Sequence, residues 1–260
     1  MKRTLVLALS CGALVVGCGS QPQNTTQEIV DNLMQAGFPR SEIQVFDGVV
    51  YTGLDAEVTL TASREMLTSD SSTEEQYRTT NLVGTAVTNI CVNGAAFVSN
   101  TKFNNALNMA IQNYNNEALR WHMTRTSSAN AAGCSATITA RFLNGVTGGS
   151  SGFPSGGRPF NTINIGTGLE SATYSVDTVE HVMTHELGHT VGFRHSDFFN
   201  RSISCGGAPS NEGDGGVGAI LIPGTPSGAT VGGSIMNSCF RTVETGEFTA
   251  SDRTALNAIY

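Results

Sequence analysis

The sequence predicts an α+β fold, and three observations carry that reading. Apolar residues recur at helical spacing in two stretches, 27–38 and 103–114, and a third helix is expected from about Val176. Short runs of strand length, alternating or wholly apolar, stand between them. On and just beyond the third helix, three histidines and a glutamate fall at spacings that bring their side chains to one point. The 260 residues suffice for one sizeable core or two small lobes. With 14 Lys and Arg against 21 Asp and Glu, the net charge of −7 argues against a nucleic-acid partner. No apolar run reaches the roughly 18 residues of a spanning helix, which argues against a polytopic membrane protein.

The N-terminal residues read as an export signal. Lys2 and Arg3 precede a short apolar stretch, Leu5 to Val16, too short to span a bilayer. It ends in Val15-Val16-Gly17-Cys18, similar to a bacterial lipobox. Residues 1–17 are therefore expected to be removed and Cys18 to carry a lipid, with an ordinary cleaved signal as the alternative. Residues 18–26 would be a polar tether. Gly19, not Asp, follows the Cys, which in a Gram-negative cell points to the outer membrane; release from the cell is the other outcome. Loss of Lys2 and Arg3 takes the charge from −7 to −9. Four of the six Cys remain for the folded part: Cys91, Cys134, Cys205 and Cys239. An even number in an oxidising compartment suggests two disulfides, Cys91–Cys134 and Cys205–Cys239 being the favoured pairing.

Residues 27–75 read as a small accessory segment or pro-segment. Ile29, Leu33 and Ala36 share a helix face, closed by Gly37 and Pro39. Ile43 to Val50 and Val58 to Thr61 look like strands, and Thr68 to Thr73 is a polar break. Residues 76–260 form the main domain. Asn89 to Phe97 is strand-like, and Phe103, Ala106, Leu107, Ala110, Ile111 and Tyr114 mark the core stripe of a helix. Leu119 to Thr124 and Ser135 to Phe142 read as strands, and 145–157 as a Gly/Ser-rich loop. Thr162 to Ile165 alternates like an edge strand, against which a peptide could pair near Asn164.

The third helix carries the chemistry. Asp177 and Glu180 fit a capping box, and Val176, Val179, Met183 and Leu187 an apolar stripe. The run is His185-Glu186-Leu187-Gly188-His189-Thr190-Val191-Gly192-Phe193-Arg194-His195. His185 and His189 are i,i+4, one turn apart on one face, so both imidazoles reach one ion. Glu186 lies about 100° round, beside that ion. On a continuing helix His195 would be roughly 9 Å along and out of reach. The helix must stop and turn, and Gly192 is the residue free to adopt the left-handed conformation that does so. Three His ligands then leave a fourth position open. His181 is read as a polar residue near the helix start and His122 as a surface residue.

The run HELGHTVGFRH resembles the metzincin zinc-peptidase signature, and Ser234-Ile235-Met236-Asn237 resembles its Met-turn, with Met236 41 residues after His195. HELGHTVGFRHSD, Ile222-Pro223-Gly224-Thr225 and Gly233 to Asn237 together look like the bacterial dual-action HEIGH metallopeptidase family, over roughly 75–260. The resemblance implies a twisted, mostly parallel sheet with an antiparallel edge strand, an active-site helix and a small C-terminal subdomain. It implies one catalytic Zn²⁺ on His185, His189 and His195, with Glu186 as general base and acid in peptide-bond hydrolysis. Ser238 stands where some metzincins carry a Tyr, so no such Tyr is assigned. Thr249 and Asp252 are expected to cap a C-terminal helix.

Asp197 is a candidate buttress for the third His. Asn211, Glu212 and Asp214 offer oxygens for a Ca²⁺ ion, although no calcium-loop spacing is present and a solvated loop is the favoured reading. The metzincin resemblance implies that a latent form would block the metal with a Cys or an Asp of the segment before residue 75; with no Cys spare if all four pair, Asp47 or Asp55 could serve, neither in a specific motif, and a plain accessory lobe is the alternative. The reading is thus a monomeric, exported zinc endopeptidase acting on protein or peptide, tied to a membrane only by a lipid. Two alternatives remain: a non-catalytic envelope lipoprotein stabilised by zinc, and an exopeptidase or small-substrate hydrolase.

Overall fold

The structure, a computed structural model, describes residues 22–68, 77–213, 219–226 and 228–260. The export signal and Cys18 lie outside the described residues. The described chain runs in order through α1 (Pro22–Gln35), β1 (Gln44–Phe46), β2 (Val49–Thr52), β3 (Ala56–Glu57), α2 (Leu60–Met66), β4 (Tyr77–Arg78) and β5 (Asn89–Asn93). It continues through α3 (Thr101–Asn115), β6 (His122–Thr126), β7 (Ala136–Leu143), β8 (Gly149–Gly152) and β9 (Thr162–Gly166). Last come α4 (Val176–Thr190), α5 (Ser202–Cys205), β10 (Ile220–Leu221) and α6 (Ala250–Ile259). The fold is α+β, as the sequence predicts. None of the described helices is long and apolar enough to cross a membrane.

Eight strands form one sheet in the order β1-β2-β3-β8-β9-β7-β5-β6. The β6, β5, β7 and β9 pairings are parallel and β8 is antiparallel to β9. β3 then runs parallel to β8, and β1 and β2 extend the sheet as antiparallel strands. Two expectations are corrected here. β9, which contains Asn164, lies between β7 and β8 and offers no edge; the Gly/Ser-rich loop supplies β8 instead. Small residues there permit close approach: a Cβ on Gly152 would meet the Glu57 carbonyl at 2.6 Å. The stretch 43–50 is broken by Asp47 and Gly48, both at positive φ (48° and 81°), which is the two-residue hairpin turn favoured by Asp-Gly.

α3 and α4 pack together against the parallel part of the sheet. Leu107, Ala110 and Ile111 meet Ile90, Ile138 and Ile163, and Met183 and Leu187 join the same core. The N-terminal segment has a second, smaller core: Ile29 and Leu33 of α1, with Ala36 just past its end, share it with Val50, Ala62, Met66 and, next to β8, Phe153. α1 begins at Pro22 and so takes in part of the expected tether; Thr26 is fixed by its hydroxyl donating to the Gly48 carbonyl. Disulfides join Cys91 to Cys134 and Cys205 to Cys239, the favoured pairs, and such bonds fit an exported chain.

Candidate metal centre

α4 is capped by Ser175, whose extended backbone lets its hydroxyl accept from the Thr178 amide. Ser175 thus takes the cap expected of Asp177. Glu180, the other half of the expected box, is buried and accepts a hydrogen bond from Asn113 Nδ2. Burial raises its pKa to about 7, against the opposing pull of that hydrogen bond, with Glu247 and Asp177 adding to the rise.

The helix ends at Thr190, and Gly192 takes φ +109°. A Cβ there would meet the Asn81 carbonyl at 2.6 Å, so both conformation and space require glycine. The turn brings His195 back to the helix. The ring centroids of His185, His189 and His195 lie 4.7, 4.9 and 5.2 Å apart, and all three side chains are buried. Each Nδ1 is anchored on the far side. His185 donates to the Ile235 carbonyl at 2.8 Å, His189 to the Phe193 carbonyl at 2.7 Å, and His195 meets Glu212 Oε1 at 2.6 Å. The Nε2 atoms therefore face one another, with His185 Nε2 only 3.3 Å from His195 Nε2.

A fourth ligand atom comes from the N-terminal segment. Asp55 Oδ2 lies 3.1 Å from His195 Nε2 and 3.6 Å from His185 Nε2, and Oδ1 lies 3.5 Å from His189 Nε2. Four ligand atoms, one from each residue, lie within 4.8 Å of one another. Burial alone would raise the Asp55 pKa, but the imidazoles of His195 and His189 outweigh it and hold the carboxyl well below its usual range. The residues fit a zinc ion. His189 Nε2 and Asp55 Oδ1 are buried without a hydrogen-bond partner, which a cation at their centre would satisfy.

Glu186, next in sequence to His185, lines the same cavity as His185 and Asp55. A Cβ on Gly149 would meet its Oε1 at 2.5 Å, so glycine in β8 makes room for the carboxylate. Its Oε2 is buried without a partner. Burial, and then the Asp55 charge, push its pKa well above the ordinary value despite the pull of His195. Met236 passes beneath the helix, where a Cβ on Gly188 would meet its sulfur at 2.6 Å. The Met236 turn is held by α6: Asp252 accepts from Ser234 Oγ and the Ile235 amide while completing the expected capping box with Thr249.

Asp197 does not support His195. Its carboxylate accepts from the amide and hydroxyl of Ser238 and from the Ser204 hydroxyl, tying the two halves of the Cys205–Cys239 loop. The supporting carboxylate is Glu212, buried against His195 and Arg194. That engagement also removes Glu212 from the calcium reading, and Asp214 lies outside the described residues. The Arg194 guanidinium is buried between the rings of Phe38 and Phe198, at 4.5 and 5.1 Å, and so spans the N-terminal lobe and the loop after His195. Of the two candidates Asp47 and Asp55, it is Asp55 that reaches the histidines, while Asp47 stays in the β1–β2 turn; the role of Glu212 beside His195 is not read from the sequence.

Three similar solved structures are two of myroilysin and one of high choriolytic enzyme 1, a hatching enzyme zinc-protease from Oryzias latipes (medaka). The first myroilysin structure is 14% identical with a TM-score of 0.41, covering 69% of this chain and 95% of that one. The hatching enzyme is 13% identical with a TM-score of 0.39, over 68% and 92%. The second myroilysin structure is 14% identical with a TM-score of 0.40, over 69% and 85%. Among curated proteins no significant match is found. A family model matches residues 50–260, a span that takes in Asp55 as well as the three histidines, Glu186 and Met236, and by it the chain belongs to the dual-action HEIGH metallo-peptidases.

Proposed function

We propose that the chain is an exported, lipid-anchored zinc endopeptidase of metzincin type, held latent by its own N-terminal lobe. The observation that carries this reading is the convergence of His185, His189 and His195 beside a buried Glu186. When bound, zinc supplies Lewis acidity, which acidifies water and polarises a carbonyl oxygen. Glu186, beside the histidines, takes the proton of the attacking water and delivers it to the leaving amine. The imidazoles are locked in their ligating tautomer by the Ile235 and Phe193 carbonyls and by Glu212. Cys18 is the lipid anchor and residues 1–17 are its signal.

Latency rests on residues 27–75 acting as a pro-segment. Asp55 stands where a reacting group would have to stand, and the segment that carries it is paired along β8: Ser151 donates its amide to the Asp55 carbonyl at 2.9 Å. A permanently seated Asp55 would favour a second reading, a non-catalytic lobe whose zinc has four protein ligands. Glu186 argues against it, because a closed structural site has no use for a buried, unpartnered carboxylate at its side. The test is a digest of a protein substrate by the full chain, cut between Asp55 and Tyr77, with and without a chelator. Chelator-sensitive internal cleavage, lost in Glu186→Gln with zinc still bound, is expected. No cleavage, with one tightly held zinc, would establish the non-catalytic reading, and cleavage only from chain ends an exopeptidase.

A further inference from the structure

α4 carries a fourth histidine on the face that serves the metal. His181 is one turn before His185, and the two rings are held in the same way. His181 Nδ1 donates to the Thr245 carbonyl at 2.9 Å, as His185 Nδ1 donates to the Ile235 carbonyl at 2.8 Å. A carbonyl only accepts, so Nδ1 carries the proton in both, and Nε2 is the free lone pair of each neutral ring. Both rings are therefore anchored through Nδ1, and both residues line the same cleft. His185 Nε2 reaches the metal centre. His181 Nε2 has no partner among the described residues although the side chain is 97% buried.

An orphaned buried acceptor is costly to keep. His181 lines a cavity of about 260 Å³ that also reaches His185 and Glu186 and is walled by Val182, Phe240, Thr147 and Gly148. The cavity is thus contiguous with the reacting centre on one side and mixed in lining: Val182 and Phe240 are apolar, while Asn237 and Ser238 are already engaged by Ser196, Gly232 and Asp197, and His181 Nε2 is an acceptor left unpaired. A cationic side chain would need a carboxylate there, and those bordering the cavity, Asp55 and Glu186, belong to the metal centre. An acidic side chain would meet an acceptor and two carboxylates. Burial keeps the His181 ring on its neutral, accepting side.

We propose that His181 is a specificity-determining residue: it accepts a hydrogen bond from a hydroxyl or carboxamide on the substrate residue next to the scissile bond. This rests on the peptidase reading. The enzyme then prefers Thr over Val, Asn over Leu and Tyr over Phe at that position, because the apolar twin of each pair fills the space and leaves Nε2 unpaired.

The experiment compares kcat/KM for paired peptides differing only by Thr/Val, Asn/Leu or Tyr/Phe at each residue flanking the cleaved bond. It uses the zinc-loaded full chain cut between Asp55 and Tyr77. The wild type should favour the polar twin about tenfold at one flanking position. His181→Phe, which keeps a ring and loses the acceptor, should bring that ratio to one or below by lowering kcat/KM on the polar twins. His181→Gln, which returns a polar amide near the place of Nε2, should restore part of it. A wild-type ratio of one at both positions overturns the inference, as does a ratio that His181→Phe leaves unchanged. If His181→Phe fails to fold, the wild-type ratio and His181→Gln decide. Absence of cleavage of every peptide overturns the peptidase reading itself, and is distinguished from the first outcome because there cleavage is present without preference.

Discussion

Asp55 and His195 are 140 residues apart in the chain, yet Asp55 Oδ2 lies 3.1 Å from His195 Nε2. The contact follows from the sheet. β3 pairs in parallel with β8, the β2–β3 turn uses Gly53 and Leu54 at positive φ (64° and 83°), and Asp55 emerges from that turn over the three imidazoles. Glycine is needed at 53, since a Cβ would sit 3.2 Å from His195 Nδ1 and 3.0 Å from Glu212 Oε2.

Asp55→Ala in the full, uncut chain should therefore open the fourth ligand position. Peptide turnover should rise by about tenfold or more over uncut wild type, because an open position is what separates a catalytic from a closed site. Turnover assays on uncut and cut chains check this. Equal turnover by uncut wild type and uncut Asp55→Ala would remove Asp55 from any latent role.

Glu212→Ala should weaken zinc binding by about 10- to 100-fold, because the variant loses the carboxylate that orients His195 through Nδ1. Competition with a chromogenic chelator measures it. Asp197→Asn serves as the contrast: its bonds run to Ser204 and Ser238, so it should lower thermal stability and leave zinc affinity unchanged. Reversed behaviour of the two variants would reassign the supporting role to Asp197.

The sequence made the metal ligands legible because their geometry is local. An i,i+4 pair and a glycine-made reversal depend on the chain between 185 and 195 and on little else. Glu186 stands in the same motif, and Met236 is read separately, from the likeness of Ser234–Asn237 to a Met-turn. In the sequence Asp55 is only one of two candidates, with Asp47, and Glu212 only a calcium candidate, because their positions depend on β3 joining β8 and on the 198–213 loop folding back over His195, both long-range. The Gly/Ser-rich stretch hid β8 for a related reason: its strand exists only because β9 and β3 supply partners on either side. The Asp47-Gly48 turn, by contrast, carried a local signal that splits the 43–50 run into two strands.

Glu180 gives a pH prediction. Its folded pKa of about 7 lies above the ordinary glutamate value of 4.5. The folded state therefore binds the proton more tightly than the unfolded state. The associated stability is fully present below about pH 4.5 and is lost as pH rises through about 7. Glu180→Gln keeps an acceptor for Asn113 and removes the charge. Melting temperatures of wild type and Glu180→Gln, measured between these limits, should converge at low pH and separate in favour of the variant toward neutrality. A constant difference across the window would show that Glu180 titrates like an exposed carboxylate.

Gly188 and Met236 make the last case: glycine, a poor helix former, stands inside α4 between Glu186 and His189. Here it has a packing cause. A Cβ at 188 would stand 2.6 Å from the Met236 sulfur and 3.4 Å from the Tyr114 hydroxyl, and Tyr114 donates to the Thr184 carbonyl one turn earlier. Gly188→Ala should thus cost about 1–3 kcal/mol by overpacking. Met236→Ala should cost about 2–5 kcal/mol through the cavity it leaves. If the two residues meet only through this contact, the double variant should cost less than the sum by about 0.5–3 kcal/mol, since the missing thioether makes room for the new methyl. Denaturant titration of the four proteins of the cycle measures that coupling. Strict additivity would mean that glycine at 188 serves helix geometry rather than the approach of Met236.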